Sequence, residues 1–122
     1  REKAYAPYSK FKVGAALETE DGRVFTGCNV ENASYGLTNC AERTAIFKAI
    51  SEGASKIKRI AIVGDLNEPL SPCGACRQVL AEFCDEDSWV LMANLEGQLL
   101  EKKIGDLLPL SFSKKNLEEP FE

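Results

Sequence analysis

Between Phe11 and Leu17 every second residue is apolar (Phe11, Val13, Ala15, Leu17), and Asp21-Gly22 separates this run from a second one, Arg23 to Cys28. A two-residue period marks a half-buried strand. Asp-Gly is a preferred two-residue hairpin turn, so the chain is expected to begin its sheet with a hairpin. The period then changes. Ala41, Ala45 and Ala49 recur every four residues within Ala41 to Ser51, Ile46 and Ile50 join them, and Gly53 follows as a helix stop. Ile60-Ala-Ile-Val63 is a short continuous apolar run, suited to a strand covered on both faces. A second helix is expected from about Gly74 to Cys84, with Val79, Leu80 and Phe83 inward, followed by a buried strand over Trp89 to Ala93. Glu96-Gly97 turns into a shorter strand near Gln98 to Glu101, and Leu107-Leu108-Pro109 closes a helical turn. Hairpin, helix, strand, helix, strand, strand is the order of an α/β chain, a three-layer sandwich whose mixed five-stranded sheet is flanked by helices. Asn29 to Asn39 reads as an irregular loop, Arg1 to Tyr5 as the tail of a helix truncated at its amino end, and the last ten residues as a tail.

A chain of 122 residues is one ordinary domain, taken here as residues 1–122. Its 44% apolar and 28% charged residues exclude a disordered or fibrous chain. No apolar run approaches the ~20 residues of a membrane span. The formal charge of −4 argues against a protein built to grip a phosphate backbone, and against a polybasic membrane surface. Cytoplasmic localisation is expected, since no targeting segment precedes the domain.

Five cysteines (Cys28, Cys40, Cys73, Cys76, Cys84) and no histidine bound the chemistry further. The odd, scattered set is not a secreted disulfide framework. Without histidine, Ser-His-Asp and Cys-His catalysis are excluded, and a soft-metal site has to be built from thiolates. Cys40-Ala-Glu42 and Pro72-Cys73-Gly-Ala-Cys76 each fall at the first turn of an expected helix. Two sulfurs of Cys-x-x-Cys with Cys40 as a third give zinc three protein ligands and an open fourth position, the catalytic arrangement. Glu42 then stands beside the metal, where a carboxylate can move protons. Taken singly, the pieces read differently: Cys73-x-x-Cys76 alone is a redox pair or half a structural zinc site, and Glu42 alone completes an Asn39-x-x-Glu42 capping box. Those readings leave Cys40 without a role. Cys28 and Cys84 read as small buried apolar residues, in a strand and a helix respectively. Arg43 and Arg77 occupy first helical turns, where a cation opposes the dipole; a local thiolate is an anion that would hold one there.

With these residues in view the chain resembles the small homotetrameric cytidine deaminases. The shared blocks are Ala6-Pro-Tyr-Ser-Lys-Phe11, Gly27-Cys-Asn29-Val-Glu31-Asn32, Cys40-Ala-Glu-Arg-Thr-Ala45, Ser71-Pro-Cys-Gly-Ala-Cys-Arg-Gln78 and Leu107-Leu-Pro109. They run in family order over nearly the whole chain, and Cys-x-Glu with a later Pro-Cys-x-x-Cys is the zinc deaminase signature in its three-cysteine form. The resemblance implies a zinc-dependent hydrolytic deamination of cytidine and 2′-deoxycytidine in pyrimidine salvage. It also implies zinc on Cys40, Cys73 and Cys76, proton transfer by Glu42, and Arg43 bonded to the zinc thiolates. Phe11 is then a wall for the pyrimidine, Asn29 and Glu31 hold the ribose 3′-hydroxyl, and the Ala41 backbone meets the polar edge of the base. Ala33 and Tyr35 match residues offered by a neighbouring subunit and Phe112 an aromatic lid from another, so active sites are expected to be shared within a homotetramer. A blasticidin-type antibiotic deaminase shares the signature, and Asn29-x-Glu31 with the run to Tyr35 favours cytidine. A nucleic-acid base editor is disfavoured by the acidic balance, and a nucleotide deaminase by the lack of an apparent phosphate cradle. A non-catalytic structural zinc module is the reading without chemistry.

Overall fold

The computed structural model describes residues 1–64 and 74–107, and among these, side chains other than those of Tyr35 and Glu86. Five strands form one sheet in the order β2-β1-β3-β4-β5: β1 (Val13–Thr19), β2 (Val24–Cys28), β3 (Ile57–Gly64), β4 (Cys84–Asn94) and β5 (Leu99–Lys103). β1 pairs antiparallel with β2 and β3, β3 parallel with β4, and β4 antiparallel with β5. Helices α1 (Ala41–Ser51), α2 (Gly74–Phe83) and α3 (Ile104–Leu107) complete the expected order. Leu108-Pro109 of the expected closing turn and the ten-residue tail lie outside the described residues. Cys84 opens a strand and does not end a helix.

The alternation of β1 turns Val13, Ala15 and Leu17 to one face, and the register carries that face across the sheet. Leu17 lies opposite Ile60 and Ile60 beside Val90; Ala15 lies opposite Ile62 and Ile62 beside Met92. Onto these rows pack Ala41, Ala45, Ile46 and Ala49 of α1, Leu80 of α2 and Ile104 of α3. Burying each large side chain contributes about 1.5–3 kcal/mol. The three helices thus share one face of the sheet. The opposite face of β3 differs from the expectation of a strand covered on both sides: Ala61 is exposed and Val63 half-buried. Trp89 is likewise 46% exposed, with the Lys103 ammonium 5.5 Å from its ring centroid.

The first hairpin closes through Glu20, Asp21 and Gly22, one residue more than the expected two-residue turn. Gly22 N–H donates to Thr19 O (3.0 Å), Thr19 N–H to Arg23 O (2.9 Å), and Gly22 takes the left-handed φ of 88°. This is a type I turn followed by a bulged glycine, whose twist suits the flanking strands. At the far end of α1, Gly53 N–H bonds Ile50 O and Ala54 N–H bonds Ala49 O, both 3.0 Å, with Gly53 at φ 92°. That is a Schellman stop, as its glycine implied.

Arg23 joins the two ends: its Nη1 donates to Glu52 O (2.8 Å) and its Nε to Asp21 Oδ2 (3.0 Å). The Arg23 guanidinium, followed by the Thr19 hydroxyl, pulls the Asp21 carboxyl down to about 2. The folded-state value therefore lies below the unfolded one, and the stabilisation is complete above the ordinary Asp range and lost as pH falls through about 2. Asp21→Asn is expected to melt below the parent at pH 7, with the gap closing as pH falls from about 4 toward 2. Melting curves showing a gap independent of pH would count against an ionised Asp21.

Residues 1–5 form a turn and a bridge, not a helical tail. Ala4 N–H bonds Arg1 O (3.0 Å), and Tyr5 bridges Val30, which in turn bridges Asn39. Among the described residues no helix is long and apolar enough to cross a membrane.

Candidate active site

The site is built around the head of α1. Cys40 is its N-cap residue (φ −72°, ψ 157°), and its side chain makes no capping bond. The turn is secured instead by Thr44, whose N–H (2.9 Å) and hydroxyl (3.1 Å) both donate to Cys40 O. Asn39 Nδ2 donates to that hydroxyl at 3.0 Å. The capping-box reading of Asn39 and Glu42 is thereby excluded, since the cap lies one residue later and Glu42 is only 4% exposed.

Glu42 is a buried carboxyl in the first turn of α1. Burial pushes its pKa above the ordinary value. A hydrogen bond from the Cys76 thiol and one from its own backbone N–H pull the other way, the Cys40 sulfur raises it, and Arg43 lowers it. Arg43 Nη2 lies 3.2 Å from Cys40 Sγ and 3.3 Å from Thr38 O, and the guanidinium also bonds Cys76. The Cys40 sulfur first, then its charge and that of Cys76, hold Arg43 more firmly protonated against the effect of burial. The cation expected to meet a thiolate at a helix start stands against the Cys40 sulfur. Its Nε is buried and finds no acceptor among the described residues. Arg77, expected on the same argument to meet an anion, sends Nη1 to Leu107 O at 2.8 Å and ties α2 to α3.

Cys76 is fully buried in the first turn of α2. Two sulfurs from two helix starts, shared by one guanidinium and touched by one carboxyl, suit a soft divalent cation such as zinc, because helix N-termini and arginine offset thiolate charge. Cys73, the third expected ligand, lies outside the described residues. Among the described residues no group of three or more ligand-type side chains is arranged so that it could hold a metal ion. Cys84, packed against the core, has its thiol pushed up to about 12 by burial. Expected as a small buried apolar residue of a helix, it is half-buried at the start of β4; a thiol raised in this way is inert.

A laced layer of chain adjoins the head of α1. Tyr5 N–H bonds Asn29 O (3.0 Å), Glu31 N–H bonds Tyr5 O (2.8 Å), and Val30 and Asn39 exchange two bonds of 2.9 Å. Asn29 is buried; its Oδ1 accepts from Val13 N–H (3.0 Å) and its Nδ2 donates to Phe11 O (2.8 Å). Glu31 Oε1 accepts from Tyr8 N–H (3.0 Å) and Ser9 N–H (3.1 Å), and Oε2 from the Ser9 hydroxyl. These bonds, the Ser9 hydroxyl first, hold the Glu31 carboxyl below its ordinary pKa. Phe11 is half-buried against the core. The structure thus laces Phe11, Asn29 and Glu31 into one layer joined through Val30 and Asn39 to Cys40. Ala41, fully buried, begins α1, and its N–H is one of the amides a helix does not satisfy internally. Ala33 is exposed in the intervening segment, and Tyr35 opens a 3-10 helix, Tyr35–Leu37, where only a loop was expected. The Tyr35 side chain and Phe112 lie outside what the structure describes. Ser9, Asn39 and Thr44 gain their roles only from the structure. The Pro7-Tyr-Ser9 turn signal and the shared block Ala6 to Phe11 are the sequence features that point toward Ser9.

Residues 1–92 match the cytidine and deoxycytidylate deaminase zinc-binding region. A cytidine deaminase of Sporosarcina psychrophila is 56% identical over 117 residues, covering 96% of this chain and 86% of that protein. The crystal structure of cytidine deaminase from Burkholderia pseudomallei aligns with a TM-score of 0.89 at 57% identity, covering 92% of this chain and 90% of that one. A blasticidin-S deaminase of Bacillus cereus is 30% identical over 114 residues, covering 87% of this chain and 80% of that protein.

Proposed function

Since the chain belongs to the cytidine and deoxycytidylate deaminase zinc-binding family, we propose that it hydrolyses cytidine and 2′-deoxycytidine to uridine and 2′-deoxyuridine, releasing ammonia. It is a zinc-dependent hydrolytic deaminase by that membership. The observation that carries the substrate reading is the buried Glu42 carboxyl against Cys76 and Cys40, laced to a layer that carries Phe11, Asn29 and Glu31. The identity of 56% to a cytidine deaminase against 30% to a blasticidin-S deaminase supports the same choice.

Cys40, Cys73 and Cys76 would hold the zinc. When bound, the metal supplies the Lewis acidity that makes water a nucleophile at neutral pH. Glu42 takes one proton from the attacking water and passes it to N3 of the ring. It then takes the proton of the hydroxyl now on C4 and delivers it to the amine, which leaves as ammonia as the C4–N bond breaks and the C4 carbonyl forms. Arg43 bonds the thiolate sulfurs and limits the negative charge around the reacting centre. Phe11 packs against the pyrimidine and the Ala41 backbone meets its polar edge. Asn29 retains one amide hydrogen and Glu31 a lone pair on Oε2 for the ribose 3′-hydroxyl.

The whole chain, 1–122, acts as a single domain in a homotetramer, with Ala33 and Tyr35 offered by one neighbour and Phe112 by another. The setting is cytoplasmic pyrimidine salvage, with free nucleosides and no nucleic acid as partners. The test is turnover of cytidine, 2′-deoxycytidine and blasticidin S alongside zinc per chain. About one zinc per chain with cytidine turned over fastest is the expected result. Faster turnover of the antibiotic, or zinc with no nucleoside turnover, would overturn the reading.

A further inference from the structure

We propose that Ser9 is a positioning residue for the nucleoside, its hydroxyl joining Glu31 to the backbone of Phe11 so that the ribose clamp and the ring wall are set as one unit. The proposal rests on the cytidine reading above and adds to it a residue that contacts neither the ring nor the metal. The Ser9 hydroxyl donates to Glu31 Oε2 and accepts from Phe11 N–H at 3.0 Å. The Ser9 backbone N–H adds a third link, 3.1 Å to Glu31 Oε1. Lys10, between Ser9 and Phe11, takes a left-handed φ of 61°. A lysine is uncommon there, and the tight reversal it makes is what lets Ser9 Oγ reach both Glu31 and Phe11.

An ionised carboxylate offers about four lone-pair positions. Tyr8 N–H and Ser9 N–H fill the two on Oε1, and the Ser9 hydroxyl fills one on Oε2. The position left for a ribose hydroxyl is thus the second one on Oε2, and Ser9 fixes the plane in which it points. The lowered pKa of Glu31 favours the ionised acceptor, which accepts a hydrogen bond from the hydroxyl and has none to donate. Asn29 bonds Phe11 O and Val13 N–H on the other side of the same turn. Without the Ser9 hydroxyl the two backbone amides still hold Oε1, but Oε2 loses the partner that aims it and its link to Phe11 N–H, while Asn29 still holds Phe11 O.

The test is steady-state kinetics of the zinc-loaded enzyme on cytidine and on 3′-deoxycytidine for the parent, Ser9→Ala and Ser9→Thr. Ser9→Ala is expected to raise KM for cytidine about tenfold, the loss of one hydrogen bond to a charged group, with kcat within about twofold. On 3′-deoxycytidine, which gives Glu31 no 3′-hydroxyl to hold, the same substitution should change KM by less than about threefold. Ser9→Thr keeps the hydroxyl at an exposed position and should restore the parent KM. An unchanged KM for cytidine in Ser9→Ala would overturn the proposal. So would an equal loss on both substrates, or a loss that Ser9→Thr shares, since a merely structural serine predicts those. A parent enzyme that leaves cytidine untouched sinks the functional reading itself, and is distinguished by that control.

Discussion

Glu42→Ala is expected to reduce cytidine turnover by at least 10²–10⁴-fold, the ordinary worth of general acid–base catalysis, while zinc per chain stays that of the parent. The carboxyl is 4% exposed and lies against Cys76 and Cys40, and in the proposed reaction this one group handles the protons of the water, the ring and the amine. Stability should move in the opposite direction. Burial raises the Glu42 pKa, so its ionised form opposes folding, and its contribution falls as pH rises through the folded-state value. Removing it relieves that cost, and the metal-free variant should melt no lower than the metal-free parent at neutral pH. A dead, zinc-loaded and undiminished fold would set Glu42 apart from a capping residue, whose loss costs about 1 kcal/mol and leaves chemistry alone. Substantial turnover by the zinc-loaded variant would sink the role.

Gly27→Ala should damage stability and activity together, though residue 27 touches no part of the reaction. A Cβ there would stand 2.5 Å from Ala45 N and 2.6 Å from Ala41 O, both backbone atoms of α1. Neither can rotate away, so the helix itself has to move. Overpacking of this kind costs about 1–3 kcal/mol, roughly 3–15 °C in Tm for a chain of this size. The atoms met belong to the first turns of the helix, which carry Glu42 and follow Cys40. A displacement near 1 Å at such a position is worth about 10²-fold in rate. Gly74→Ala is the stability control, because a Cβ there meets nothing within 4 Å. Equal melting of parent, Gly27→Ala and Gly74→Ala would refute the close-contact argument.

These two positions differ in how far the sequence betrays them. Metal and proton chemistry demand particular residue types at particular spacings, so Cys40, Glu42 and Cys76 stand out in a chain without histidine. Arg43 is legible because a cation at a helix start needs an anion. The element order is legible for a similar reason, since a period of two in β1 and a period of nearly four in α1 are hard to confuse over whole elements. Gly27, Ser9 and Thr44 lie inside the shared blocks, but their residue types do not announce what they touch. Their partners include backbone atoms that no local pattern names, and a glycine chosen for closeness looks like one chosen for a turn. The open side of β3 departs from the expectation because Ala61 fits either a covered or an uncovered face. The hairpin loop is one residue longer because Gly22 adds a bulge that Asp-Gly alone does not announce.

Helix α1 is fastened at both ends by main-chain atoms. Gly27 sits under Ala41 and Ala45 at its start, and Arg23 holds Glu52 O beyond its last turn. What lies between can therefore change in composition more freely than in count. Each helical residue turns the axis by about 100° and advances it about 1.5 Å. One residue gained or lost between Ala45 and Glu52 would leave the fastenings out of phase and swing Cys40 and Glu42 away from Cys76. The exposed position Ser51 is open to exchange, whereas the length of the helix is part of the site's geometry.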